Sequence, residues 1–312
     1  MTEAGLSALV ERVIPGGSVL SRRALRGGVS ASVALVRVQA PDGTRHDLVL
    51  RRYAAPWHRA DPTVSVTEFR LLQRLARSSV PAPQPLFIDR AGTFLGVPAI
   101  VTTRLVGRSL LDPSDYATYV REAACALVAV HRVPTRGLAF LPRQAKRLPA
   151  RLARKAVAED PLEPALREAT LRAWPALAAS PDPVRLVHGD YWPGNLLWRR
   201  GRLTGVVDWE DACLGDPAED VATCRADLVM LFGPRGADGF LQAYRAAGGR
   251  RVSRLPFWDL VTCTLRLTEL ERWAPGWQAL GRADVSAATA RERIRGFAQC
   301  ALRDLSAASG RF

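Results

Sequence analysis

The chain has 312 residues, of which 48% are hydrophobic, and a formal net charge of +14 at pH 7. That length and apolar content exclude a largely disordered chain and supply core enough for two domains or one bilobal unit. No run approaches the roughly 18 consecutive apolar residues of a membrane helix, and "MTEAGLSALVERVIPGG" lacks the pattern of a secretory leader, so no membrane partner is expected. The charge is almost all arginine, with Lys146 and Lys155 the only lysines. Nucleic-acid binding is one reading of such a charge. The arginines are spread over the whole chain without the interleaved aromatics of a stacking groove, so no nucleic-acid partner is expected either. The densest run, Arg143 to Lys155, reads as a solvated helical face. Cys125, Cys213, Cys224, Cys263 and Cys300 are scattered, without metal-like pairs, and read as reduced thiols of a cytoplasmic protein.

In chain order, "VSASVALVRV" (29–38) and "DLVLRRY" (47–53), joined across the turn signal Pro41–Gly43, read as a β-hairpin. "TVSVTEFRLLQRLARS" spaces Val66, Phe69, Leu72 and Leu75 as one face of a helix that ends at "VPAPQP". "LFID" and "GVPAIVTTRLVG" are two further strands. After Gly107 the texture turns helical: "SDYATYVREAACALVAVHRV" and "DPLEPALREATLRAWPALAA" are followed by two short strands in "VRLVHGD" and "LTGVVDWED", then by helices to the end. The organisation is α+β: a small β-rich lobe over residues 1–104 and a larger, mainly helical lobe over 105–312.

Polar groups concentrate in "LVHGDYWPGNLLW", where His188, Asp190 and Asn195 interrupt an apolar stretch, and Asp208 follows in "VVDWED". Buried polar groups cost free energy unless partnered, so they are either satisfied structurally or do chemistry. The order His-x-Asp, Asn five residues on, then Asp at a strand end is that of a kinase catalytic loop. With "HGDYWPGNLLW" followed by "GVVDWEDACLGDPAEDVA", the chain resembles the aminoglycoside phosphotransferase/choline kinase-like family over residues 20 to 250.

The resemblance implies a bilobal protein-kinase-like fold with an N-terminal nucleotide-binding lobe and a C-terminal catalytic and acceptor-binding lobe. It also implies an ATP-dependent phosphotransferase that moves the γ-phosphate to a hydroxyl of a small molecule, with Mg²⁺ as cofactor and GTP as the alternative donor. Phosphoryl transfer asks the protein mainly to position groups and neutralise charge. Asp190, a carboxylate with an ordinary pKa near ~4, would take or orient the hydroxyl proton. Asn195 and Asp208 would supply hard oxygens to Mg²⁺. His188 would brace the loop, and Asp216 and Asp220 in "GDPAED" would anchor it structurally. Gly189 stands where regulated protein kinases carry Arg, which implies no phosphate-ordered activation loop.

Strand alternation places Arg51 on the face opposite Leu50, hence toward the nucleotide. The resemblance puts a Lys there; Arg still offers charge and a fork for phosphate. Glu68 on the next helix would pair with it. In "RGGVSAS", Ser30 and Ser32 could donate to phosphate, and the hinge "VTTRLVG" would offer the backbone of Thr102, Thr103 and Leu105 to the adenine.

Trp192, Trp209 and Glu210 flank this chemistry and are expected at the acceptor. Aminoglycosides and choline are cations that need acidic pockets, whereas the last hundred residues hold more arginines than acids, so the acceptor is expected not to be a polycation. An aminoglycoside or macrolide resistance kinase, or a catalytically silent nucleotide-binding regulator of the same fold, is the alternative. The intact Asp190, Asn195 and Asp208 weigh against the regulator.

Overall fold

The computed structural model describes residues 2–25, 32–153, 160–178 and 184–309. It divides into two compact units, Met1–Gly107 with Thr204–Glu210, and Arg108–Leu203 with Asp211–Phe312. A single boundary at 104/105 overlooks the 204–210 segment, which belongs to the first unit although it is remote in sequence.

The first unit contains α1 (Glu3–Val13), β1 (Ser18–Ala24), β2 (Ser32–Gln39), β3 (Arg45–Arg52), α2 (Pro56–Ala60), α3 (Val64–Leu75), β4 (Pro85–Asp89) and β5 (Ala99–Thr103). Its strands form one antiparallel sheet in the order β1-β2-β3-β5-β4. The β2–β3 hairpin turns at Pro41–Gly43, where Gly43 takes φ +83° and the Asp42 carboxylate accepts from the Thr44 amide at 2.8 Å. Leu48 and Leu50 point from β3 into a core with Leu6, Leu9 and Val10 of α1, Val36 and Val38 of β2, and Val101 of β5. Alternation sends Arg51 to the other face. Helix α1 and strand β1 are elements the strand-and-turn reading passed over. Yet Leu6, Leu9, Val10 and Val13 have helical spacing, and Thr2 caps the helix by accepting from the Gly5 amide.

The second unit contains β6 (Arg108–Ser109), α4 (Tyr116–Arg132), α5 (Gln144–Leu152), α6 (Glu163–Ala178), β7 (Arg185–Val187) and β8 (Leu196–Arg199). Strand β9 (Arg202–Val206) carries the chain from this unit into the first. The second unit resumes with β10 (Cys213–Gly215), α7 (Ala218–Phe232), α8 (Arg235–Ala246), α9 (Leu255–Ala279) and α10 (Ala287–Ser309). Strand β10 returns antiparallel beside β7, Cys213 opposite Val187, and so lies next to the start of the catalytic-looking loop.

Helix α7 is buried from Ala218 to Leu231. A helix buried on all sides must partner every charge it carries. Glu219 takes Gln144 and Arg151, Asp220 takes His131, Arg225 pairs with Asp259, and Asp227 pairs with Arg266. The basic run around α5 is thus no simple solvated face. Leu148 and Leu152 are buried, Arg151 reaches Glu219, and Arg147 reaches Asp211 at 3.1 Å. Among the described residues no helix is long and apolar enough to cross a membrane.

Candidate active site

The second unit carries the loop His188–Asn195. Its backbone is held by a buried acid. The amides of His188 and Gly189 donate to Asp220 Oδ2 and Oδ1 at 2.7 and 2.9 Å, and the Asp190 amide donates to His188 Nδ1 at 3.3 Å. Asp220 is fully buried and also receives His131 Nε2 at 3.1 Å, while the other nitrogen of His131 meets the Tyr244 hydroxyl at 2.8 Å. Just before α7, Asp216 accepts from the Ala218 amide at 2.8 Å and from the Trp258 indole at 3.1 Å.

Gly189 has φ +82°, and a Cβ there would lie 2.3 Å from the Asp211 carbonyl oxygen, so steric fit alone requires glycine. At the end of the loop, Gly194 lies under the Trp192 ring, and its carbonyl accepts from the Ser109 hydroxyl at 2.6 Å.

This scaffold presents one carboxylate. The Asp190 side chain is 35% exposed, whereas His188 is fully buried. Asn195 Nδ2 donates to the Asp190 carbonyl at 2.9 Å and to its Oδ2 at 3.0 Å, which turns the Asn195 amide oxygen away from the acid. Arg266 of α9 stands 4.0 Å from Asp190 Oδ1. It is fixed by a two-point bond to Asp227, Nε–Oδ1 at 3.0 Å and Nη2–Oδ2 at 2.6 Å, and lies over the Trp273 ring at 4.6 Å. Its Nη1 has no hydrogen-bond partner among the described residues. Trp192 packs partly buried on the α7–α9–α10 core that also takes in Trp277.

The first unit gathers a second set. Arg51 is 9% exposed; its Nη2 donates to Asp208 Oδ1 and Glu210 Oε2, both at 2.7 Å, and its Nε lies 3.4 Å from Glu68 Oε2 without hydrogen-bond alignment. The Tyr53 hydroxyl donates to Glu68 Oε2 at 2.6 Å, and His58 Nε2 meets Glu210 Oε2 at 3.0 Å. Burial pushes the Glu68 carboxyl up to about 7 against the pull of Arg51. Asp208 sits in the left-handed region at φ +69°, a conformation Asp tolerates better than most residues and one that marks functional turns.

The donor set fits a hard divalent cation. Within the first unit one guanidinium faces three carboxylates, and Asp208 among them offers oxygen. Among the described residues no three His, Cys, Asp or Glu converge as a closed metal cage. Mg²⁺, which keeps several waters and takes one or two protein carboxylates, needs none.

Other expected positions fall differently. Trp209 is 1% exposed and its indole donates to the Val206 carbonyl at 3.0 Å, so it is core of the first unit and not an acceptor contact. Glu210 is likewise turned to Arg51 and His58, away from any acceptor role. Ser30 lies outside the described residues, and Ser32 is an exposed residue opening β2. Thr102 and Thr103 are sheet residues, and the Thr103 amide is spent on the Gln84 carbonyl at 2.9 Å. Leu105, just past the strand, packs on Gly205. The sequence reading missed His58, Tyr53 and Arg266. The only available signal was the rarity of His, four in the whole chain.

Comparison with known proteins identifies the family. The model of the phosphotransferase enzyme family matches residues 21–255. A homoserine kinase of Mesorhizobium japonicum is 31% identical over 171 residues, 49% of this chain and 50% of that protein. A homoserine kinase of Xanthobacter autotrophicus is 29% identical over 221 residues, 67% of this chain and 64% of that protein. The chain thus spans about half to two thirds of these curated relatives. The crystal structure of a macrolide 2′-phosphotransferase from Brachybacterium faecium superposes with a TM-score of 0.60 at 25% identity, covering 92% of this chain and 97% of that one. The matched span takes in Arg51, Glu68, Asp190, Asn195 and Asp208, and the chain belongs to the phosphotransferase enzyme family.

Proposed function

We propose that this protein is a Mg²⁺- and ATP-dependent kinase of a small hydroxylated acceptor, with Asp190 as the group that orients and takes the hydroxyl proton. The observation that carries the reading is the contrast within one loop. The neighbours of Asp190 in the loop are buried or bonded to hold it, while the Asp190 side chain, steadied by Asn195, keeps about a third of its surface open. Asp190 then acts late, as the proton becomes acidic in a loose transition state. Asn195 and Asp208 would hold Mg²⁺, which when bound neutralises the charge on the transferred phosphoryl oxygens. Arg51, kept in place by Glu68, would bind the nucleotide phosphates, with a two-point fork in place of the single nitrogen of Lys. The backbone following β5, at Leu105, would meet the base of the nucleotide.

The acceptor in this reading carries a carboxylate near its hydroxyl. Arg266 supports it: a largely buried, pre-oriented guanidinium beside Asp190, with Nη1 unpaired among the described residues, is suited to a second, substrate-borne anion. The homoserine kinases among the relatives are named for such a molecule, a hydroxylated amino acid.

The test is Mg²⁺-dependent consumption of ATP and GTP across hydroxy acids, their amides, amino alcohols, sugars and antibiotics, with Asp190→Asn as the control. Turnover of a hydroxy acid but not its amide, lost in Asp190→Asn and weakened in Arg266→Met, is the expected result. Turnover of amides and acids alike removes the carboxylate. Nucleotide binding without turnover of any acceptor favours a regulator.

A further inference from the structure

Where the family resemblance puts a Lys, this chain has Arg51, and that change raises a physical problem. A Lys nitrogen is a point charge that one carboxylate can place. A guanidinium is a planar fork whose orientation needs restraint at both ends. Glu68 restrains only one end, and loosely, since its 3.4 Å approach to Nε lacks hydrogen-bond alignment. At the other end Nη2 is shared between Asp208 and Glu210. With Asp208 given over to a cation, Glu210 is the acid that stays with Nη2.

Glu210 is in turn held by His58. That residue is 4% exposed, with its ring edge-on to Tyr53 at 5.1 Å and to Trp57 at 5.6 Å. Its Nε2 reaches Glu210 Oε2 at 3.0 Å, and its buried Nδ1 has no partner among the described residues. The Nε2–H tautomer suits this arrangement, because an unprotonated Nδ1 leaves no buried donor unpaired. Arg51, Tyr53, His58, Glu68, Asp208 and Glu210 all lie in the first unit, so this chain of contacts is complete within it.

We propose that Glu210 and His58 are positioning residues for Arg51: His58 fixes Glu210, and Glu210 fixes the Nη2 end of the fork in the orientation that receives nucleotide phosphate. This rests on the reading of Arg51 as the nucleotide-binding cation, and assigns the arginine fork a two-residue support that a lysine at this position would not need.

The experiment is calorimetric binding of ATP and ADP to the full chain, with and without Mg²⁺, for wild type, Glu210→Gln, His58→Phe and His58→Gln, each checked by thermal unfolding. Losing the charge of the acid that holds Arg51, or the histidine that holds that acid, should weaken nucleotide binding by about tenfold or more in Glu210→Gln and His58→Phe. His58→Gln, which restores a donor near the Nε2 position, should recover most of that loss. In an Arg51→Lys background Glu210→Gln should change affinity less than about twofold, because a single nitrogen has no second end to restrain.

A role in packing alone would lower the melting temperature in His58→Phe and leave the dissociation constants of all variants equal, and that result overturns the proposal. So does an equal effect of Glu210→Gln in the Arg51 and Lys backgrounds. A wild-type chain that binds neither ATP nor GTP is a different failure, which removes the nucleotide reading and this support with it.

Discussion

Asp220 holds His188 by its backbone: the His188 amide donates to Asp220 Oδ2 at 2.7 Å, with both residues fully buried. The same carboxylate accepts from Gly189 and meets His131, so one side chain satisfies three donors. Asp220→Ala leaves two buried amides unpaired and should cost roughly 3 kcal/mol or more. Asp220→Asn, which keeps one acceptor oxygen, should cost less. Urea unfolding measures both, and a loss below about 1 kcal/mol in Asp220→Ala would show that water replaces the carboxylate.

Gly189→Ala should fail for two reasons at once. The residue sits at φ +82°, and the new methyl group would fall 2.3 Å from the Asp211 carbonyl oxygen. The backbone must move, and it carries Asp190 with it. We expect destabilisation beyond the roughly 1 kcal/mol of a simple glycine replacement, and a larger fractional loss of turnover than of nucleotide affinity. Normal activity in this variant would mean that the loop tolerates a different path.

Asp190→Asn separates chemistry from binding. The Asn195 amide keeps its bond to the Asp190 backbone carbonyl, so the loop should persist. Phosphotransfer should fall by roughly 10²–10⁴-fold, with nucleotide affinity changed little. Asp208→Ala should do the reverse, weakening Mg²⁺-nucleotide binding. Stopped-time product assays and calorimetry read the two effects separately; full turnover in Asp190→Asn would displace it as the proton acceptor.

Glu68 predicts a pH dependence of stability. Its carboxyl is pushed up by burial from the ordinary 4.5 to about 7, against the pull of Arg51. The folded chain therefore holds this proton more tightly than the unfolded one. The favourable contribution is present in full below about 4.5 and is lost as pH rises to about 7. Relative to Glu68→Gln, the stability of the nucleotide-free wild type should decline across that window. A difference between the two that is flat with pH would mean that Glu68 stays ionised beside Arg51.

Much of the fold was legible from period and punctuation. The β2–β3 hairpin follows from alternating Val and Leu about Pro41–Gly43, and α3 from Leu72 and Leu75 on one face. The loop around Asp190 was legible because its polar residues stand out against apolar neighbours. What sequence could not convey was partnership. Glu210 looks like an exposed acid, yet it faces Arg51, 159 residues away in the chain but adjacent in the fold. Trp209 looks like an aromatic lining, yet its neighbours close over it. Charges such as Asp227 and Arg266 read as surface in a linear scan, because nothing local shows that α7 is buried on every side.

Strand β9 leads the chain back into the first unit, and this fixes an order of events during synthesis. The sheet, Arg51 and Glu68 are all translated early, but the acids that neutralise the buried guanidinium, Asp208 and Glu210, arrive only after the first part of the second unit has been made. A nascent chain ending near Gly107 therefore has Glu68 but neither Asp208 nor Glu210 to set beside Arg51. The first unit cannot finish as an independent amino-terminal domain on the ribosome. Its completion depends on contacts spanning more than 150 residues, such as Arg51 to Asp208 at a separation of 157, which marks it as a late and slow step of folding.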